Sequence, residues 1–189
     1  MGMSIDRRVM LLNLRRYNAG PALLTEDRII TYSELADISQ RIAVTVGSRV
    51  LAFVFCTNSP ACVAGYVGFL RKRIVPVMLD AGLDVELAAE LVERYRPEVL
   101  WLPESMSAFF QGQVLLRLGG YVLVRREEAA PFLLHDELAL LMTTSGSTGS
   151  PKLVRQSYRN IEVNTRSIIE YLHIDSSERA VTNLPMHYV

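Results

Sequence analysis

Short apolar runs and helix-spaced apolar stripes alternate along this chain from about residue 33 onward. Leu51 to Phe55, Val75 to Leu79, Val99 to Leu102, Tyr121 to Val124 and Leu138 to Met142 are each of strand length, bounded by polar or turn-forming residues. Between them lie helical patterns. One runs to about Thr45, with Ser33 as the expected cap and Gly47 as the expected left-handed end; a second covers Ala61 to Leu70, opened by Pro60; a third covers Val85 to Tyr95, ended by Pro97. Farther on, Ser157 is positioned to cap a helix whose stripe is Ile161, Ile168, Ile169 and Leu172, and Ala180 to Leu184 reads as a last strand before Pro185. The amino-terminal part differs: Asp6 to Tyr17 reads as an amphipathic helix, and Ala22-Leu23-Leu24 with Ile29-Ile30 as a hairpin across Glu26-Asp27. Glycines at Gly112, Gly119 and Gly120 interrupt residues 105–120, which receive no assignment. The alternation predicts an α/β fold, a largely parallel sheet flanked by helices.

Size and charge narrow the picture. With 189 residues, 50% of them hydrophobic, the chain can bury about one domain's core. Twenty Lys and Arg balance twenty Asp and Glu, so no basic stripe points to nucleic acid, and Arg71-Lys72-Arg73 reads as a solvated helix end. Cys56 and Cys62 have no Cys or His companion at zinc spacing and read as reduced core residues; with no secretory pattern at the amino terminus, the expected compartment is cytoplasmic. Residues 50–70 carry no charge and are long enough to span a bilayer, but Thr57-Asn58-Ser59-Pro60 divides them. A buried strand followed by a core-facing helix accounts for them, with no membrane segment.

One segment has a composition that neither core packing nor an ordinary turn requires: Thr143 to Lys152, T-T-S-G-S-T-G-S-P-K. Its glycines let successive backbone N–H groups converge, the hydroxyls add short donors, and Lys152 supplies a mobile positive charge. That is the chemistry of a phosphate cradle. It is not the commoner phosphate loop, because Gly146 and Gly149 are too close together and Lys152 does not follow the second glycine directly. A flexible Ser/Gly linker is disfavoured by the apolar residues that adjoin it on both sides.

Ser145-Gly146-Ser147-Thr148-Gly149 followed by Pro151-Lys152 resembles the signature loop of the adenylate-forming superfamily, which includes acyl-CoA synthetases and the adenylation domains of peptide synthetases. Ile30-Thr31-Tyr32-Ser33-Glu34-Leu35, Gly68-Phe69-Leu70 with Val75-Pro76-Val77 and Asp80, and Leu184-Pro185-Met186-His187-Tyr188 are similar to further elements of that family, in the same order. The resemblance implies an incomplete amino-terminal portion of the family's large domain over residues 1–189, with the carboxy-terminal part and the small lid domain absent. It implies chemistry in which a carboxylate attacks the α-phosphorus of ATP, with magnesium, to give an acyl-adenylate, and a thiol of coenzyme A or of a carrier protein's phosphopantetheine then takes the acyl group.

On that resemblance Thr144, Ser145, Gly146, Ser147, Thr148, Gly149 and Lys152 hold the β- and γ-phosphates, Lys152 is the catalytic cation, and His187 and Tyr188 face the carboxylic acid substrate; no protein metal ligand is assigned. Many acid ligases of the family have the aromatic residue before the histidine, whereas here His187 precedes Tyr188. The adenine, ribose and magnesium partners expected of the family are not found in these residues, so the chain alone is expected not to complete adenylation. The alternative is a non-catalytic nucleotide- or partner-binding module of the same fold. A fragment with a bare apolar surface would be expected to form a homodimer or aggregate through it.

Overall fold

The computed structural model describes residues 10–129, 133–144 and 152–188. A two-stranded antiparallel hairpin, β1 (Pro21–Leu24) and β2 (Ile29–Thr31), leads into helix α1 (Tyr32–Val46). Then come β3 (Leu51–Cys56), α2 (Pro60–Arg71), β4 (Val75–Asp80), α3 (Val85–Tyr95) and β5 (Val99–Pro103). A short 3-10 turn at Glu104–Phe109 precedes the hairpin β6 (Gln113–Leu118) and β7 (Tyr121–Arg125). The last elements are β8 (Leu138–Thr144), β9 (Lys152–Ser157) and α4 (Tyr158–Leu172).

The main sheet has seven strands in the order β6-β7-β5-β3-β4-β8-β9. Its centre, β5-β3-β4-β8, is parallel, whereas β7, β6 and β9 join antiparallel at the edges. The parallel centre agrees with the alternation of strand and helix patterns in the sequence. Because both faces of these central strands are covered, their runs are continuously apolar, yet alternate side chains still diverge. Val54, Trp101, Leu123 and Met78 enter the core under α1 and α2, while Phe53, Val77, Leu100 and Val122 enter the one under α3.

Local chemistry explains the element ends. The cap of α1 is Thr31, not Ser33: the Glu34 N–H donates to Thr31 Oγ1 at 3.2 Å, and the Thr31 N–H donates to Glu34 Oε2 at 2.7 Å. Glu34, three residues on, completes this reciprocal pair; Ser33 instead donates to Asn18 Oδ1 at 3.0 Å. These bonds hold the Glu34 carboxyl below the ordinary carboxylate range. Gly47 does take a positive φ, +90°, but with ψ −62° it lies outside the left-handed helical well. Ser59 caps α2 with Pro60 in the first turn, and Ser157 caps α4 by accepting from the Asn160 N–H at 3.0 Å.

Two further expectations are corrected. Residues 10–17 form a 3-10 segment broken at Asn13 (φ −117°, ψ 44°), and residues 6–9 of the expected helix lie outside the described residues. Ala180 to Leu184 is not a strand: Val181 is 88% exposed, and no strand among the described residues pairs with it. An apolar alternation becomes a strand only when a partner takes up its backbone groups. The uncharged stretch 50–70 is β3 followed by α2, and among the described residues no helix is long and apolar enough to cross a membrane.

Close packing of α1 on α2 needs a bare backbone at Gly68, where an added Cβ would lie 2.4 Å from the Ser39 carbonyl oxygen. One turn earlier, Gly65 leaves room for the Trp101 indole, whose Nε1–H donates to the Ala61 carbonyl at 3.1 Å.

Candidate functional site

In a parallel sheet the carboxyl ends of the strands face one rim, where loops leave and ligands gather. Three adjacent strands reach that rim level with one another. Cys56 of β3 pairs with Asp80 of β4, and Met78 of β4 with Met142 of β8. β4 ends at Asp80 and β8 at Thr144, each two residues beyond that last pair. Thr143 Oγ1 reaches the Met78 carbonyl at 3.4 Å, which ties β8 to β4 just below the rim.

The hydroxyl-rich segment springs from this point. Its stem is the antiparallel ladder of β8 and β9, in register through Thr143 with Leu153 and Thr144 with Lys152. Thr144 therefore ends one strand, Lys152 begins the next, and the two stand opposite each other. Lys152 is exposed. Ser145, Gly146, Ser147, Thr148, Gly149 and Pro151 lie outside the described residues.

Residues 184–188 return to the same rim. The Asn58 carboxamide, in the turn after β3, donates through Nδ2 to the Leu184 carbonyl at 3.0 Å and accepts through Oδ1 from the Met186 N–H at 3.2 Å. The Tyr188 N–H closes a turn on the Pro185 carbonyl at 3.0 Å. This brings His187 Nε2 to 3.8 Å from Asp80 Oδ2. Asp80 is itself oriented, because its Oδ1 accepts from the Gly82 N–H at 2.9 Å. His187 and Tyr188 diverge: the histidine meets Asp80, whereas Tyr188 lines an open groove of about 900 Å³ with Leu140, Met142, Gln156, Ile161 and Asn164.

The turn carrying Asn58 is fixed from beneath. The Tyr121 hydroxyl donates to the Phe55 carbonyl at 2.9 Å, accepts from the Thr57 N–H at 3.0 Å and sits 2.8 Å from Thr57 Oγ1. Burial keeps this phenol protonated, raising its pKa above the ordinary tyrosine value. Nearby Cys56 and Cys62 are buried free thiols, with Cys56 raised by its hydrogen bond to Cys62 and by burial.

Sequence patterns marked Asn58 only as part of a chain-breaking turn and Asp80 only as part of a motif. The available signal was their position: each is the polar residue at or just beyond the carboxyl end of an otherwise apolar strand.

Comparison with known proteins agrees with this architecture. The AMP-binding enzyme family profile matches residues 12–189. A 3-hydroxybenzoate/4-hydroxybenzoate coenzyme A ligase from Thauera aromatica is 28% identical, over 88% of this chain and 37% of the ligase. A linear gramicidin synthase from Brevibacillus parabrevis is also 28% identical, over 85% of this chain and 2% of that protein. The chain thus spans well under half the length of these relatives. Among solved structures, o-succinylbenzoate coenzyme A synthetase from Bacillus subtilis, in complex with AMP, shares the fold with a TM-score of 0.72 at 21% identity, covering 94% of this chain and 49% of the synthetase. With the signature segment on the stem of β8 and β9 and the profile matched over nearly its whole length, the chain belongs to the AMP-binding enzyme family of adenylate-forming ligases.

Proposed function

We propose that this chain is the amino-terminal subdomain of an ATP-dependent carboxylic acid ligase, and that it supplies the grip on the nucleotide's β- and γ-phosphates. Thr144, Ser145, Ser147, Thr148 and Lys152 are the proposed phosphate ligands, with Gly146 and Gly149 giving the loop its shape. The observation that carries this reading is the stem: Thr144 faces Lys152 across a hairpin whose first strand joins β4 in the parallel sheet.

The donor set suits the chemistry. When bound, ATP supplies the electrophilic α-phosphorus, and negative charge grows on the departing pyrophosphate. Hydroxyls, backbone N–H groups and an ammonium held at a rim stabilise such charge, an effect worth on the order of several kcal/mol in a transition state. Lys152 orients and neutralises, and no proton transfer is asked of it. In this reading the 184–188 segment faces the acid, with His187 on the side of Asp80 and Tyr188 on the side of the groove. Benzoate-type acids are candidates because one relative's name specifies them. The acceptor thiol is that of coenzyme A or of a carrier protein. Buried free Cys56 and Cys62 suit a reducing cytoplasmic setting.

Titration of the chain with ATP and magnesium, followed by NMR and calorimetry, tests the reading. Binding is expected to perturb the amides of Thr144 and Lys152, and Lys152→Ala is expected to weaken it by about tenfold or more. No response up to millimolar ATP would overturn the assignment. These 189 residues by themselves are expected to bind without catalysing ATP–pyrophosphate exchange over a panel of carboxylic acids. Exchange by this chain alone would refute that expectation.

A further inference from the structure

His187 is poorly held by its own ring. Its Nε2 is 3.8 Å from Asp80 Oδ2, too long for a hydrogen bond, and its Nδ1 is buried with no hydrogen-bond partner among the described residues. The side chain is nonetheless only 18% exposed. Its location must therefore be set by the backbone on either side, and residues 180–184 offer no ladder to set it.

The link that remains is Asn58. Its carboxamide bridges a carbonyl and an amide two residues apart, Leu184 and Met186, and so mimics the pairing of a neighbouring strand. A carboxylate would not satisfy both groups, since it has no donor for the Leu184 carbonyl. Asn58 is in turn held at the end of β3 by the Tyr121 and Thr57 network. Met186 packs partly buried against the core beneath α1 and α2, which completes the anchor.

We infer that Asn58 is a positioning residue: it ties the 184–186 backbone to the end of β3 and thereby sets His187 over Asp80. Its functional meaning rests on the ligase reading above, in which this segment faces the acid. The tether itself is read without any ligand, so the two ideas fail separately. Asn58 does not hold phosphate in this scheme, and its removal acts on the acid-facing segment.

NMR of the full chain, comparing the parent with Asn58→Leu and Asn58→Asp, tests the tether. In Asn58→Leu the Met186 amide is expected to exchange at least about fivefold faster, while the amides of β3 and β4 keep their protection. The His187 ring resonances are expected to move in the same variant, a change that a purely structural turn residue would not produce. Asn58→Asp keeps an acceptor for Met186 but loses the donor to Leu184, so Met186 exchange stays within about threefold of the parent while the His187 ring still shifts. Should Asn58→Leu fail to fold, the aspartate variant decides alone. An unmoved His187 ring overturns the inference. ATP binding by both variants is expected to match the parent; a parent chain that ignores ATP while the ring still responds to Asn58 would sink the ligase reading and support the tether.

Discussion

Helices α2 and α4 have similar lengths and begin with the same kind of serine cap, yet they live in different surroundings. In α2, Ala61, Cys62, Ala64, Gly65, Val67, Gly68, Phe69 and Leu70 are all buried, pressed between α1 and the sheet. In α4 only Tyr158, at the first turn, is buried, while Ile168 is 44% and Tyr171 83% exposed. The sequence of α4 has the more obvious apolar stripe and the structure covers little of it. Periodicity therefore says which face a helix would bury; whether anything lies there is a separate fact. The difference also divides the molecule by role, since the well-covered part supplies rigid strand ends and the less-covered part carries the hydroxyl-rich segment, its stem and the groove beside Tyr188.

Removing a large core side chain next to α2 should give the widest separation between the two regions. Trp101 is fully buried and lies 5.2 Å from the Tyr121 ring, so Trp101→Ala is expected to cost about 3–5 kcal/mol in urea unfolding. Tyr171→Ala on α4 is expected to change the same measurement by no more than about 0.5 kcal/mol. Equal costs would mean that the α4 face is covered in solution, and the comparison would break.

Overpacking is the next effect in size. Gly68→Ala brings a Cβ to 2.4 Å from the Ser39 carbonyl, backbone that cannot step aside without moving α1, and is expected to destabilise by about 1–3 kcal/mol with a visible fall in Tm. A neutral result would show that α1 and α2 are less tightly apposed than described.

Caps sharpen the contrast further. Thr31→Ala removes the reciprocal bonds of α1 and is expected to lower global stability by about 1 kcal/mol. Ser157→Ala removes a cap of the same kind from α4, but with so little of that helix buried, hydrogen exchange is expected to rise mainly within Tyr158–Leu172. A global loss from Ser157→Ala as large as that from Thr31→Ala would contradict a loosely attached α4.

The smallest effect is one of pH. The folded pKa of Glu34 is depressed by the Thr31 hydrogen bonds, so its contribution is complete above the pKa of an unfolded glutamate, about 4.3, and is lost as pH falls through the lower folded value. Unfolding measured across that acid window should show a small extra loss in the parent that is absent from Glu34→Gln. The same slope in both would remove Glu34 from the account.

Much of the fold was legible because the central strands are covered on both faces. Runs of four or five apolar residues, such as Leu51 to Phe55, can only be strands in the space between Gly47 and Pro60, and the helices between them announce their ends through Pro60, Pro97 and Ser157. The signature segment was legible as a family motif, and the family profile over residues 12–189 bears that out. Edges were harder. The β6 strand and the antiparallel attachment of β9 have short patterns whose meaning depends on a neighbour, and Ala180 to Leu184 had the pattern of a strand but no neighbour to make it one.

By itself, then, the sequence determined which segments are strands and helices in the covered centre, that Ser157 caps α4, and which family the chain resembles, because these depend on residues within a few positions of one another. Tertiary structure alone decided that β8 joins β4 in parallel, that Asn58 reaches across more than a hundred residues to Leu184 and Met186, and that the stripe of α4 stays largely bare. Those facts are relations between distant parts of the chain. They follow from the order in which strands join the sheet, and local patterns of polarity do not encode that order.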